Sequence, residues 1–166
     1  MIDCKLSKKV RKSDSETLEQ YIERRKRDFN EILKNKYYYK GKKVVFKTYL
    51  NSDLNKEVFN HITTEHSPYK MKNGKPIYLN KPSLPRLERI HWIGEILGEV
   101  CDGCENRKCI VNTNFNPKRI LICCEESLYM MVLEERKDYY LVETAYPISR
   151  EKFEKMFNKS KRDRPE

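Results

Sequence analysis

The chain has 166 residues, of which 36% are charged and 38% apolar, with a net charge of +10. That length suits one domain with a real core. So dense a charge means that the core comes from a few concentrated segments, while the surface carries a field that attracts polyanions. No run of about 18 apolar residues is present, which excludes a membrane-spanning helix.

The charged start, residues 1–12, has no apolar stretch behind it, so the expectation is a cytoplasmic protein without an ordinary signal peptide. Its six cysteines should then be thiols or metal ligands rather than disulfides. Nucleic acid is the commonest polyanionic partner. A membrane surface fits less well, because the most basic segments lack a broad apolar face.

Residues 1–12 read as a loose basic arm. Ser13 and Glu16 have capping-box spacing. Leu18, Tyr21, Ile22, Phe29, Ile32 and Leu33 recur at helical intervals, which predicts an amphipathic helix over 14–36. Arg24, Arg25, Lys26 and Arg27 read as its solvated face. A turn at Lys40-Gly41-Lys42 leads into a strand from Val44 to Tyr49. Asp53 then caps a short helix through Val58, Phe59 and Ile62. Residues 67–82 hold three of the seven prolines and read as a long loop.

Ser83 caps a helix over 83–98, with Pro85 in its first turn and a buried face of Leu87, Ile90, Ile93, Ile96 and Leu97. Strands follow at 109–115, 118–124, 127–133 and 138–145, with links so short that neighbours must be antiparallel. A short helix at 149–158 ends the pattern. The expected fold is α+β: N-terminal helices followed by a four-stranded antiparallel β-meander. The expected organisation is a basic arm and amphipathic helix over 1–40, an α+β domain over 41–158, and a polar tail over 159–166.

His61 and His66 are two of three histidines and stand five residues apart. Histidine titrates near neutrality, so two can divide the roles of general base and general acid. RNA cleavage without metal needs that division. One group takes the 2′-hydroxyl proton, another protonates the leaving 5′-oxygen, and cations or donors hold the charge on the phosphate. The bland alternative is two surface histidines beside a loop.

Arg86 and Arg89 lie three apart on the predicted helix and suit phosphate; an ion pair with Glu88 or Glu95 is the other reading. Trp92 reads as core. Period-two alternation puts Tyr140, Val142, Thr144 and Tyr146 on one face of the last strand, so Thr144 and Tyr146 offer two hydroxyls at its end. Lys118 and Arg119 add positive charge to the same sheet if they turn inward. Cys101, Cys104 and Cys109 could hold a structural zinc with a fourth ligand from Cys123 or Cys124. Free thiols in a polar turn are the alternative.

The stretch Leu87-Glu88-Arg89-Ile90-His91-Trp92-Ile93 resembles a helix of a phage-borne nuclease family. So do Lys118-Arg119-Ile120-Leu121-Ile122, Tyr129-Met130-Met131-Val132-Leu133 and the run Arg136 to Tyr146, in the same order. The family is the phage branch of the barnase–EndoU–colicin–RelE-like superfamily, and the likeness covers about residues 55–150. It implies a helix-then-sheet nuclease fold and metal-independent RNA cleavage in a toxin or effector. It also implies RNA and an inhibitor or antitoxin protein as partners, in a bacterial host cytoplasm. The implied catalytic roles fall on His61, His66, Arg86 or Arg89, and Thr144 with Tyr146. Glu65 stands before His66 where a basic residue is expected, and the cysteine cluster lies outside the family pattern. A non-catalytic phage nucleic-acid-binding or regulatory protein, with a structural zinc, is the second hypothesis.

Overall fold

The first helix of the computed structural model begins at Thr17 rather than at Ser13. The structure describes residues 6–46, 54–98, 107–112 and 117–162, with backbone alone at 54–57, 66–72, 75–80, 112 and 157–162. α1 spans Leu18–Lys34. The Thr17 hydroxyl accepts from the Gln20 amide at 3.2 Å, and the Gln20 side chain accepts from the Thr17 amide at 2.9 Å. Both donors are ones a helix start would otherwise orphan. Ser13 and Glu16 instead close a turn ahead of it. The buried stripe of α1 is Tyr21, Arg25, Phe29 and Ile32.

Two hairpins follow. β1 (Tyr37–Tyr39) and β2 (Lys42–Phe46) are joined by Lys40 and Gly41. β3 (Thr64–Lys72) and β4 (Lys75–Pro82) are joined by Asn73 and Gly74. All four turn residues have positive φ: 46° and 78°, then 53° and 75°. Such a two-residue turn matches the twist of its strands. The predicted loop over 67–82 is therefore corrected to a hairpin. Its prolines misled the reading, yet a two-stranded sheet has free edges where proline is tolerated, and Pro68 sits at the register shift. At Gly41 an added Cβ would meet nothing within 4 Å. Gly41→Ala should then cost the backbone strain alone, about 1–2 kcal/mol, read as a lower urea midpoint with unchanged slope.

α2 covers Leu54–Thr63. The helix expected over 83–98 is instead two short pieces, α3 (Leu84–Leu87) and α4 (Trp92–Leu97). In a continuous helix the carbonyls of Leu87 and Glu88 would accept from residues 91 and 92. Here Arg25 Nε takes the Leu87 carbonyl at 2.8 Å and the Val10 amide takes that of Glu88 at 2.9 Å. The chain tightens into bonds spanning three residues, such as Trp92 N to Arg89 O at 2.9 Å.

β5 (Arg107–Asn112), β6 (Arg119–Cys124), β7 (Tyr129–Glu135) and β8 (Tyr139–Pro147) pair antiparallel in sequence order. They are not a free-standing four-stranded meander, which corrects the expected fold. The sheet has six strands in the order β1-β2-β8-β7-β6-β5, and β2 runs parallel to β8. The sheet also curls. Tyr39 on one edge strand puts its hydroxyl 3.2 Å from Cys109 Sγ on the other, and Arg107 lies over the Tyr39 ring at 5.9 Å.

One face of the sheet packs Ile120, Ile122, Tyr129, Met131, Leu133, Tyr140, Val142 and Ala145 against the buried sides of α1 to α4. The other packs Leu121, Cys123, Met130 and Val132 against Ile148 and Phe153. Phe153 belongs to the last helix, α5 (Arg150–Arg162), which runs past the expected end at 158.

Candidate nucleic-acid interface

Arg86, on α3, ties the end of α2 to the end of β8. Its Nη1 donates to the Ile62 carbonyl at 3.2 Å, one residue past His61, and its guanidinium lies over the Tyr146 ring at 5.2 Å. Lys152 approaches the same ring at 5.0 Å. His61 is half-buried in the last turn of α2. His66 is separated from it by a change of element: α2 stops at Thr63 and β3 begins at Thr64, with His66 opposite Asn80. The His66 side chain lies outside the described residues.

Glu65 accepts from the Ser83 hydroxyl at 2.6 Å. Ser83 holds the N-cap position of α3 without capping it through its side chain. Its amide donates to the Thr63 carbonyl at 2.8 Å, which closes the base of the β3–β4 hairpin.

Arg86 and Arg89 do not point alike. Arg89 turns toward Trp92, with its guanidinium 5.6 Å from the ring, and donates to the Pro85 carbonyl at 2.6 Å. Glu88 stands 3.5 Å from it. Two polar atoms beside this pair are buried without a hydrogen-bond partner: Arg89 Nε and the hydroxyl of Tyr129. Burial pushes the Tyr129 phenol well above its ordinary range, and the charges of Arg86, Arg89 and Arg25 pull against that shift.

The expected face of the last strand is broken. Val132 pairs with Thr144 and Leu133 with Val142, so Glu143 is an extra residue, a β-bulge. Tyr140 and Val142 face the helices, whereas Tyr146 packs on the α5 side opposite Met130, with Thr144 two residues before it. The two hydroxyl residues share a side with each other and not with Tyr140. Lys118 is exposed, and Arg119 stands opposite Glu134, whose carboxyl is raised by burial and by Glu143. Neither basic residue joins Arg86.

The arm expected to be loose is docked from residue 6 onward. Trp92 Nε1 donates to the Ser7 carbonyl at 2.8 Å, and the Tyr21 hydroxyl donates to that of Val10 at 2.7 Å. Arg24 Nη2 donates to the Arg11 carbonyl at 3.1 Å. His91 Nε2 lies 3.0 Å from the Lys8 carbonyl, and its Nδ1 is 2.7 Å from Nη2 of Arg25. Arginine only donates, so Nδ1 is the bare nitrogen and Nε2 carries the proton. The imidazole is therefore neutral.

Burial first, and then the Arg25 charge, hold the His91 pKa below its ordinary 6.5. The unfolded chain binds that proton more readily, so this contribution to stability is present above pH 6.5 and is lost as pH falls below it. Amide protection factors of residues 7–11, taken against the intrinsic exchange rate at each pH, should fall on acidification through that window, and His91→Gln should remove that pH dependence. Arm protection that is flat down to pH 5 would refute it.

Arg25, expected on the solvated face of the first helix, is corrected to a buried residue of its stripe, and Tyr129 was missed in the sequence. For Arg25 a signal existed: it stands four residues from both Tyr21 and Phe29, which puts it on the buried stripe. Tyr129 carried none.

Cys101 and Cys104 lie outside the described residues. Cys109 and Cys124 share a face, since Cys109 pairs with Ile122 and Cys124 with Arg107. Cys123 faces the other way, its thiol pushed up to about 12 by burial and neighbouring thiols, which suits a packed side chain better than a ligand. Among the described residues no group of three or more His, Cys, Asp or Glu stands together as a metal site, and no helix is long and apolar enough to cross a membrane.

Fold and surface together define a basic α+β protein with a curled mixed sheet and an arginine–aromatic patch at one end of its last strand. Compared with protein-family models, curated proteins and solved structures, the chain finds no match.

Proposed function

We propose that this protein is a phage-type endoribonuclease of the barnase–EndoU–colicin–RelE-like kind, cleaving RNA by attack of the 2′-hydroxyl without a metal cofactor. The observation that carries the reading is the position of Arg86 between the carbonyl next to His61 and the ring of Tyr146. In the proposed mechanism His61 and His66 take the base and acid roles. Arg86 and Arg89 hold the charge growing on the phosphate, and Thr144 and Tyr146 donate from the strand end. Net charge brings the polyanion in and makes binding salt-dependent. The proposed setting is a host cytoplasm, with an inhibitor or antitoxin protein as the second partner.

A structural zinc at Cys101, Cys104 and Cys109 is a separate element of the proposal. Metal analysis of the purified chain decides it.

The test of function is direct. RNA incubated with the protein in excess chelator should be cut, leaving 2′,3′-cyclic phosphate ends. Binding without cleavage would return the protein to the second hypothesis, a nucleic-acid-binding or regulatory protein. Cleavage abolished by chelator would move the chemistry to a bound metal.

A further inference from the structure

We propose that Arg86, Arg89 and the hydroxyl of Tyr129 form a binding site for a single phosphate group. The starting observation is a pair of buried atoms without partners, the Tyr129 hydroxyl and Arg89 Nε. Buried polar groups are nearly always hydrogen-bonded, so such a pair points to a partner that the described residues do not supply. Tyr129 has no exposed surface, so open solvent does not supply the partner.

The missing partner must accept, because Arg89 Nε can only donate. It must also be anionic. Arg86, Arg89 and Arg25 all act electrostatically on this phenol. Arg25 already donates to three acceptors, Asp28, the Leu87 carbonyl and Nδ1 of His91. Arg86 gives one nitrogen to a carbonyl, and Arg89 gives one to a carbonyl with the largely buried carboxylate of Glu88 3.5 Å from the same nitrogen. Both guanidinium charges act on the Tyr129 phenol, and among the described residues the carboxylate beside them is Glu88, 3.5 Å from Arg89. The rings of Tyr146 and Trp92 lie against them at 5.2 Å and 5.6 Å and hold the planar forks in place. The Trp92 ring in turn packs edge-on to Tyr129 at 5.4 Å. A tetrahedral oxyanion can accept from the phenol and from both forks at once.

This deepens the ribonuclease reading by naming the group that would hold the phosphate, and it rests on that reading only for where the phosphate comes from. Its test uses neither RNA nor cleavage. Inorganic phosphate is titrated into the full chain at constant ionic strength in chloride, followed by calorimetry and by melting temperature. Wild type should bind and melt higher with phosphate. Tyr129→Phe should bind about tenfold more weakly or worse, since a hydrogen bond to a charged group is lost. Its melting temperature without phosphate should not fall, because the hydroxyl has no partner to lose. Arg89→Lys keeps the charge, removes Nε, and should weaken phosphate as well.

Equal phosphate affinity in wild type and Tyr129→Phe would overturn the proposal. So would a wild type that phosphate leaves unchanged, or a Tyr129→Phe variant that melts lower without ligand. A 3′-phosphorylated nucleotide and a 2′-deoxy dinucleoside phosphate distinguish a terminal monoester from a chain phosphodiester as the source. Phosphate binding in a chain that cuts no RNA would sink the ribonuclease reading and leave this site standing; cleavage with phosphate binding indifferent to Tyr129 would do the reverse.

Discussion

His61→Ala should lower RNA cleavage by about 10²–10⁴-fold, the usual cost of losing one general acid or base. The fold should survive, because His61 is half-buried at the end of α2 while the neighbouring Phe59 and Ile62 carry the packing. Circular dichroism and melting temperature should therefore stay near wild type while the rate collapses. Loss of rate with unchanged RNA affinity places the defect in the chemical step. Arg86→Ala should behave differently. It removes a phosphate contact, so binding and rate fall together and the salt slope of binding drops by about one. If His61→Ala and His66→Ala both cut RNA at the wild-type rate, the proposed acid–base pair is wrong.

The largest stability effect is expected at Arg25. Its side chain is 1% exposed and makes three bonds: Nε to the Leu87 carbonyl at 2.8 Å, Nη1 to Asp28 at 2.6 Å, and Nη2 to His91 at 2.7 Å. Arg25→Ala takes the guanidinium donor from the buried Leu87 carbonyl and from the part-buried Nδ1 of His91, and opens a cavity inside the stripe that packs α1 on the core. Losing a buried hydrogen bond from a charged group costs about 1.5–3 kcal/mol, while the ion pair to the 47% exposed Asp28 adds little. The arm should loosen as well, because His91 loses the donor that fixes its tautomer and its bond to Lys8. The exposed pair Lys34–Glu31, 69% and 70% exposed, is the internal contrast: Lys34→Ala should shift stability by about 0.5 kcal/mol or less. Urea unfolding of the two variants separates a networked arginine from a solvated one. Arg25→Ala with a loss no larger than that of Lys34→Ala would show that the network carries little.

Much of the local structure was legible because its causes act within a few residues. Apolar residues at helical spacing gave α1 and α2, and the alternating runs with short links gave β5 to β8 and their antiparallel order. The turn chemistry of Asn73-Gly74 was written in the chain as well, but the surrounding prolines outweighed it in the reading. Arg25 was legible in the same sense, through its spacing from Tyr21 and Phe29.

The rest was decided by tertiary structure. Whether β2 joins β8, and that it does so in parallel, depends on a partner 96 residues away, which no local window samples. The break between α3 and α4 comes from Arg25, 62 residues distant, and from Val10, which together capture the carbonyls a longer helix would use. The bulge at Glu143 turns Thr144 and Tyr146 away from the face that strict alternation assigns them, since one extra residue reverses every side chain after it. The charge and the residue types set by the sequence itself predicted a surface for polyanions and a set of candidate groups. Which of them meet was settled by packing: Arg86 with Tyr146 and the end of α2, Arg89 with Trp92, and Lys118 and Arg119 elsewhere, because strand order and helix breaks are properties of the whole sheet and core.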